Sequence, residues 1–223
     1  MSAIWIPLAL SLKVALWATA INAVLGIGTA WLLSRWRSPL RDLVDAVLTL
    51  PLVLPPTVLG YYLLVLVGRR GALGEWLASM GIELVFTWQG AVLASSVVAF
   101  PLVLKSARAA FESVDAQLEN AARVLGAGEI ALFFRVSLPL AVRGIAAGVL
   151  LAFARALGEF GATLMVAGSL PGRTQTLSVA IYEAVQAGDD RTANLLVLVT
   201  SVVCVVLLLA AGRLVPASRP AIR

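Results

Sequence analysis

Five apolar stretches, each near or above the length of about 20 residues that a bilayer-crossing helix needs, leave this chain few folds to choose from. They run from about Leu8 or Leu12 to Leu33, from Leu43 to Val67, from Gln89 to Leu104, from Leu140 to Ala167 and from Ala193 to Leu214. In hydrocarbon a backbone must satisfy its own hydrogen bonds, so stretches of this kind cross as helices. The composition agrees: 61% of residues are hydrophobic and 13% charged, about half the charge of an ordinary soluble domain. The expectation is an all-α membrane protein, one domain over residues 1–223 with about five transmembrane helices. The bilayer surrounds it and nucleic acid plays no part. With no His and a single Cys, Cys204, the chain has neither an internal disulfide nor a His- or thiolate-based metal site. No cofactor is expected in it.

Basic residues near the ends of spans set orientation. Arg35, Arg37 and Arg41 follow the first stretch; Lys105, Arg108, Arg123, Arg135 and Arg143 lie between the third and fourth; Arg213, Arg219 and Arg223 close the chain. Against these eleven, the opposite side holds five: Lys13, Arg69, Arg70, Arg173 and Arg191. The larger set is placed in the cytoplasm, which puts the N-terminus outside and the C-terminus inside. Trp31 and Trp36 then mark the inner boundary, and Trp5, Trp76 and Trp88 the outer. Ala18-Thr19-Ala20 has the look of a cleavage site, but no basic region precedes it and the apolar run continues to Leu33.

Two spans carry features beyond hydropathy. The second contains Pro51, Pro55 and Pro56 ahead of Thr57, and three prolines so close remove several backbone donors. The disturbed helix is expected to pack against others or line a pore. In the fourth, Gly144, Gly148, Ala152 and Ala156 recur every four residues, a row of small side chains that lets another helix approach closely. The same stretch holds Arg155 and Glu159, four apart and near mid-depth. Charges there are costly, about 2.5–3.5 kcal/mol each on insertion scales, and are expected to pair and face the protein interior or water. Small or hydroxyl side chains such as Thr57, Thr163 and Ser95 are candidates to line a weak path. The outer segment Arg69–Trp88 is too polar to span, and the outer loop Ser169–Thr176 is a turn followed by polar residues.

Between the third and fourth stretches lies a segment, 113–139, that cannot span yet is built for contact. Asp115 is a candidate N-cap. Leu118, Ala121, Ala122 and Leu125 follow at helical spacing and make one apolar face. Gly126 and Gly128 break that helix, and Ile130, Phe133 and Phe134 start a second short one before Pro139. The string Asn120-Ala121-Ala122, Gly126, then Val136-Ser137-Leu138-Pro139 resembles the EAA loop of ABC-importer permeases. The usual Glu is replaced by Asn120, with Glu119 one position earlier, and the usual Ile by Val136. The resemblance implies a type I importer permease (MetI-like) core. It also implies that Glu119, Asn120, Ala121, Ala122, Gly126, Leu138 and Pro139 couple to a cytoplasmic ATPase.

Within that group the chain is most similar to molybdate permeases, through Leu50–Gly60, Gly68–Gly71, Val114–Gly126, Ala154–Thr163 and Pro171-Gly172-x-Thr174-x-Thr176. The resemblance implies an inner-membrane homodimer, two copies of an ATPase that carries ATP–Mg, and a periplasmic molybdate-binding protein. Sulfate and tungstate permeases are the alternatives on substrate. Pro55, Pro56, Thr57, Arg155, Glu159 and Thr163 are candidates for the pathway or its gate. The chain has no phosphate-binding G-x-x-x-x-G-K-[ST] run, so ATP hydrolysis belongs to a partner and no catalytic residue is expected here. Two other classes compete. A proton-coupled transporter would use Glu159, but no inverted repeat is visible. An intramembrane enzyme would have only Ser11 and Lys13 for a nucleophile and base.

Overall fold

A computed structural model of the chain describes residues 2–214. Arg219 and Arg223, counted above toward a cytoplasmic C-terminus, lie outside the described residues. Helix follows helix throughout. Four stretches are long and apolar enough to cross a membrane: Ile4–Arg35, Trp88–Glu112, Glu129–Leu157 and Asp190–Leu209. A fifth exists if two helices joined at a sharp bend count as one span.

Three long helices make the core. These are α1 (Ser2–Arg35), α5 (Trp88–Glu112) and α8 (Leu138–Leu157). Their contact surfaces are built from the smallest side chains: Ala15, Ala18, Ala91, Ala99, Ala152 and Ala156 are all buried together. The row of small residues foreseen on α8 faces α5. A Cβ on Gly144 would stand 2.7 Å from Cβ of Ala110, and one on Gly148 2.4 Å from Cβ of Ser106. Packing at that range lets backbones touch where there is no hydrophobic drive between helices in lipid. Polar groups join the same helices: the buried Asn22 amide donates to the Ser96 carbonyl at 3.0 Å. Ser11 caps from a distance, its hydroxyl accepting the Leu177 N–H at 2.7 Å. This gives Ser11 a structural role at the start of α10 (Leu177–Gln186), a helix that hydropathy did not reveal.

The second apolar stretch is sharply bent. Helices α2 (Leu40–Val53) and α3 (Pro56–Val67) meet at 114°. The cause is local. Leu54 and Pro55 each precede a proline, which drives a residue to extended backbone, and both are extended, with ψ of 140° and 138°. Pro56 then starts α3 at the position where a missing N–H costs nothing. The fourth span also differs from a single rod. Helix α8 stops at Leu157, and α9 (Gly161–Ala167) starts afresh after three residues. The pieces beyond the two breaks pack on each other: a Cβ on Gly60 would lie 2.6 Å from Cβ of Met165, and one on Gly161 2.8 Å from Cβ of Pro56.

Helix α4 (Ala72–Ser79) lies in the polar segment after α3. Helix α11 (Asp190–Leu214) opens on a cap, Asp189 accepting the Thr192 N–H at 3.0 Å. A bond from the Thr192 hydroxyl, helped by that backbone bond, holds the Asp189 carboxyl below its ordinary range. Along α11, Leu198, Val202, Val205, Val206, Leu208 and Leu209 all face outward. An apolar surface on this scale is what lipid or another membrane helix covers.

Candidate functional site

The segment 113–139 folds as a hairpin, and each turn of it has a readable cause. Asp115 caps α6 (Ala116–Val124) by accepting the Gln117 N–H at 2.8 Å. The helix ends on Gly126, whose φ of +85° is a left-handed conformation that favours glycine. Its N–H returns to the Arg123 carbonyl at 2.9 Å and that of Ala127 to Ala122 at 3.0 Å, the two bonds of a Schellman ending. The chain then enters α7 (Glu129–Leu132), a π-helical turn (Phe133–Ser137) and α8 as one continuous rod. Pro139 explains the wide turn. It has no N–H to give the Arg135 carbonyl, and Leu138 donates five residues back, to Phe133.

That turn sorts the side chains. Phe133 points inward, its ring 5.0 Å from Trp31 and 6.0 Å from Phe111, whereas Phe134 points out. Ser137 is buried and faces Arg35, the last residue of α1. Arg35 is the hub of the hairpin. One guanidinium nitrogen donates to Glu119 at 2.7 Å and to the Ser137 hydroxyl at 3.2 Å; the other reaches Glu129 at 3.1 Å. Ser137 in turn donates to Glu119 at 2.6 Å. Arg123 closes the ring, donating to Glu129 at 2.9 Å and to Asn120 at 3.2 Å. The Glu129 contact holds the Arg123 guanidinium above its ordinary range. Trp31 lies under Arg35, 4.8 Å from ring centroid to guanidinium. Ion pairs of this multidentate kind are stronger and better oriented than isolated surface pairs.

While Arg35, Glu119, Arg123 and Glu129 pair with one another, the hairpin turns several apolar side chains outward. Val124 is 88% exposed, Leu125 87% and Ile130 76%, with Leu118 and Phe134 beside them. The predicted residues divide accordingly. Glu119 belongs to the inner ring; Asn120 and Ala121 are exposed, Ala122 is half-buried, and Gly126 forms the elbow. Leu138 and Pro139 open α8. In the sequence Arg35 reads only as an inner-boundary charge, and Ser137 and Glu129 carry no signal of a role. Arg35 and Glu119 are 84 residues apart, and no local pattern joins them. A second set of ion pairs ties α2 to the end of α5, through Arg41 with Glu112 and through Asp45 with Lys105 and Arg108.

The other predicted residues gather at the two broken spans. Arg155 Nη1 lies 2.6 Å from Glu159 Oε2, so the pair forms although Glu159 stands beyond the end of α8. Glu159 also caps α9, its Oε1 accepting the Ala162 N–H at 2.9 Å. Arg155 lines a cavity of about 110 Å³ with Pro51, Leu54, Pro56 and Val98. Pro55 and Thr57 are exposed beside it. Thr163 is buried against α5, its hydroxyl 3.5 Å from that of Ser95. Among the described residues no three His, Cys, Asp or Glu side chains converge as a metal site.

A polytopic helical protein with broken spans and an apolar-faced hairpin is a membrane transport subunit by its build, and the comparisons with known proteins say the same. Residues 22–223 match the family described as binding-protein-dependent transport system inner membrane component, and the chain belongs to that family. It is 47% identical over 208 residues to the molybdenum transport system permease protein ModB of Escherichia coli (strain K12), covering 92% of this chain and 91% of that protein. It is 46% identical to the Haemophilus influenzae protein of the same name, over 83% and 82%. The sulfate transport system permease protein CysT of E. coli (strain K12) is 37% identical over 79% of this chain and 64% of its own. The fold is that of type I ABC importer permeases. A structure of the MetNI methionine ABC transporter aligns with TM-score 0.77 at 18% identity, covering 97% of both chains. A bacterial alginate ABC transporter aligns with TM-score 0.75 at 18% identity, covering 96% of this chain and 78% of the other.

Proposed function

We propose that this chain is the permease of an ATP-driven molybdate importer. The observation that carries the transport mechanism is the hairpin, where an arginine-centred ring fixes a surface whose exposed face is apolar. In a monomer such a face is unexplained; a groove on a partner ATPase explains it. Glu119, Asn120, Ala121, Ala122, Gly126, Leu138 and Pro139 belong to this coupling element in our reading, and Val124, Leu125, Ile130 and Phe134 join them as its contact face. The ATPase supplies ATP–Mg and hydrolyses it. The hairpin and C-terminus are cytoplasmic and the N-terminus outside. Two copies of the chain enclose the path, and a periplasmic binding protein delivers the anion. Pro55, Pro56, Thr57, Arg155, Glu159 and Thr163 border that path at the broken spans.

Molybdate is preferred to sulfate because the relatives of higher identity and fuller coverage carry the molybdenum name. The test is uptake of labelled molybdate into proteoliposomes holding this chain with its ATPase and binding protein. Uptake that needs internal ATP, is blocked by tungstate and survives excess sulfate supports the reading. Uptake of sulfate instead overturns the substrate. Uptake that stops with an uncoupler but ignores ATP depletion overturns the mechanism in favour of proton coupling through Glu159.

A further inference from the structure

We infer that Arg155 contacts the transported oxyanion and that Glu159 sets how weakly it does so. The inference rests on the anion-permease reading above and assigns the two residues distinct roles within it. Their exposure is unequal. The side chain of Arg155 is 34% exposed and that of Glu159 1%. The cation is offered to the cavity and the carboxylate is hidden from it. Arg155 meets Glu159 through Nη1, and the residue lines the cavity together with Pro51, Leu54 and Pro56. A guanidinium is planar and forked, which suits a tetrahedral oxyanion.

Glu159 cannot follow Arg155 outward. It is buried, and its other oxygen holds the first turn of α9 through the Ala162 N–H. An anion arriving in the cavity therefore meets an arginine whose charge is already half committed. A path has to bind its ion well enough to admit it and weakly enough to release it. A bare buried arginine would hold a divalent oxyanion too long; an arginine neutralised from behind by a fixed carboxylate does not. The two breaks converge here, since Gly161 touches Pro56 across the gap between α9 and α3. Any shift of α9 against α8 thus changes the distance between the carboxylate and the guanidinium.

Two measurements test this. In the first, the full chain in nanodiscs is titrated with labelled molybdate without ATPase or binding protein. Glu159→Gln keeps an acceptor for Ala162 and removes the competing charge. It is expected to bind molybdate at least about tenfold more tightly than the wild type, and R155Q/E159Q is expected to lose the gain. Binding by E159Q equal to that of the wild type overturns the inference. A gain of binding is not something a merely damaged fold produces. In the second, molybdate accumulated per ATP hydrolysed is measured in the full proteoliposome system. Arg155→Gln is expected to lower this ratio by about tenfold, and Arg155→Lys, which keeps a charge but not the fork, by less. A wild-type ratio in both variants overturns the inference. If the wild type carries sulfate and not molybdate, only the substrate fails, and the same variants are read with sulfate. If it carries neither anion, the permease reading falls and this inference with it.

Discussion

Two of the molecule's charged clusters, the hairpin ring and the Arg155–Glu159 pair, solve opposite problems. At the hairpin, Arg35 spreads its charge over Glu119, Glu129 and Ser137, and the elements it joins are remote in sequence. At the broken spans, Arg155 pairs among the described residues with a carboxylate four residues away. The first cluster is a multipoint tie that stiffens a surface. The second is a single contact beside a cavity, and a single contact can be exchanged. Apolar residues follow the same division. On the hairpin Val124 and Leu125 point out of the protein while Phe133 packs inward on Trp31; beside Glu159, Ala162, Val166 and Leu59 are buried together. A docking element has to keep its shape when a partner pushes on it. A pathway element has to let its contacts change.

Four substitutions would break or sharpen this contrast. The largest loss of stability is expected for Glu159→Ala. It removes the α9 cap, worth about 1 kcal/mol, and the charged hydrogen-bonding partner of Arg155, worth about 2 kcal/mol. A detergent-solubilised melting curve within error of the wild type would mean that Glu159 is not structural. Arg35→Ala should cost less, about 1–3 kcal/mol, because the ring it leaves unsatisfied is only partly buried. Its signature is local: faster hydrogen exchange in α6 and α7 with α5 unchanged. Gly126→Val should cost about 1 kcal/mol, since a β-branched residue resists the left-handed conformation at the elbow. The measurement is protection of the Ala127 amide, which bonds back to Ala122. Val124→Asp with Leu125→Asp should leave stability within about 0.5 kcal/mol, as both side chains are surface-exposed. It should nevertheless abolish ATP-driven uptake, which separates a docking face from a structural one.

Much of this was legible in the sequence where the cause is local. Asp115 as a cap, Gly126 as an elbow and the Gly144–Ala156 row as a contact face each depend on a few neighbouring residues. The Arg155–Glu159 pair was legible for the same reason, although the helix expected to carry it ends between the two. Apolar Phe160, Ala162 and Leu164 hid that break, because hydropathy is blind to whether a backbone is helical. The prolines of the second span announced a disturbance; the 114° between α2 and α3 followed only once Leu54 and Pro55 were both seen to be extended. Helix α10 is ten residues of mixed polarity, too short to register as a span, and its first N–H is satisfied by Ser11 from the other end of the chain. The Arg35 ring is likewise a product of tertiary packing. The type of fold was thus open to reading, and the wiring between distant helices was not.

The hairpin as a preformed docking surface is the point on which coupling stands or falls. The measurement is co-purification of the partner ATPase with the V124D/L125D variant, alongside a melting curve of the variant. The expected result is that the ATPase is lost while the melting temperature stays within about two degrees of the wild type. ATPase retained at the wild-type ratio would contradict the docking surface, and would move the contact to another face of the protein.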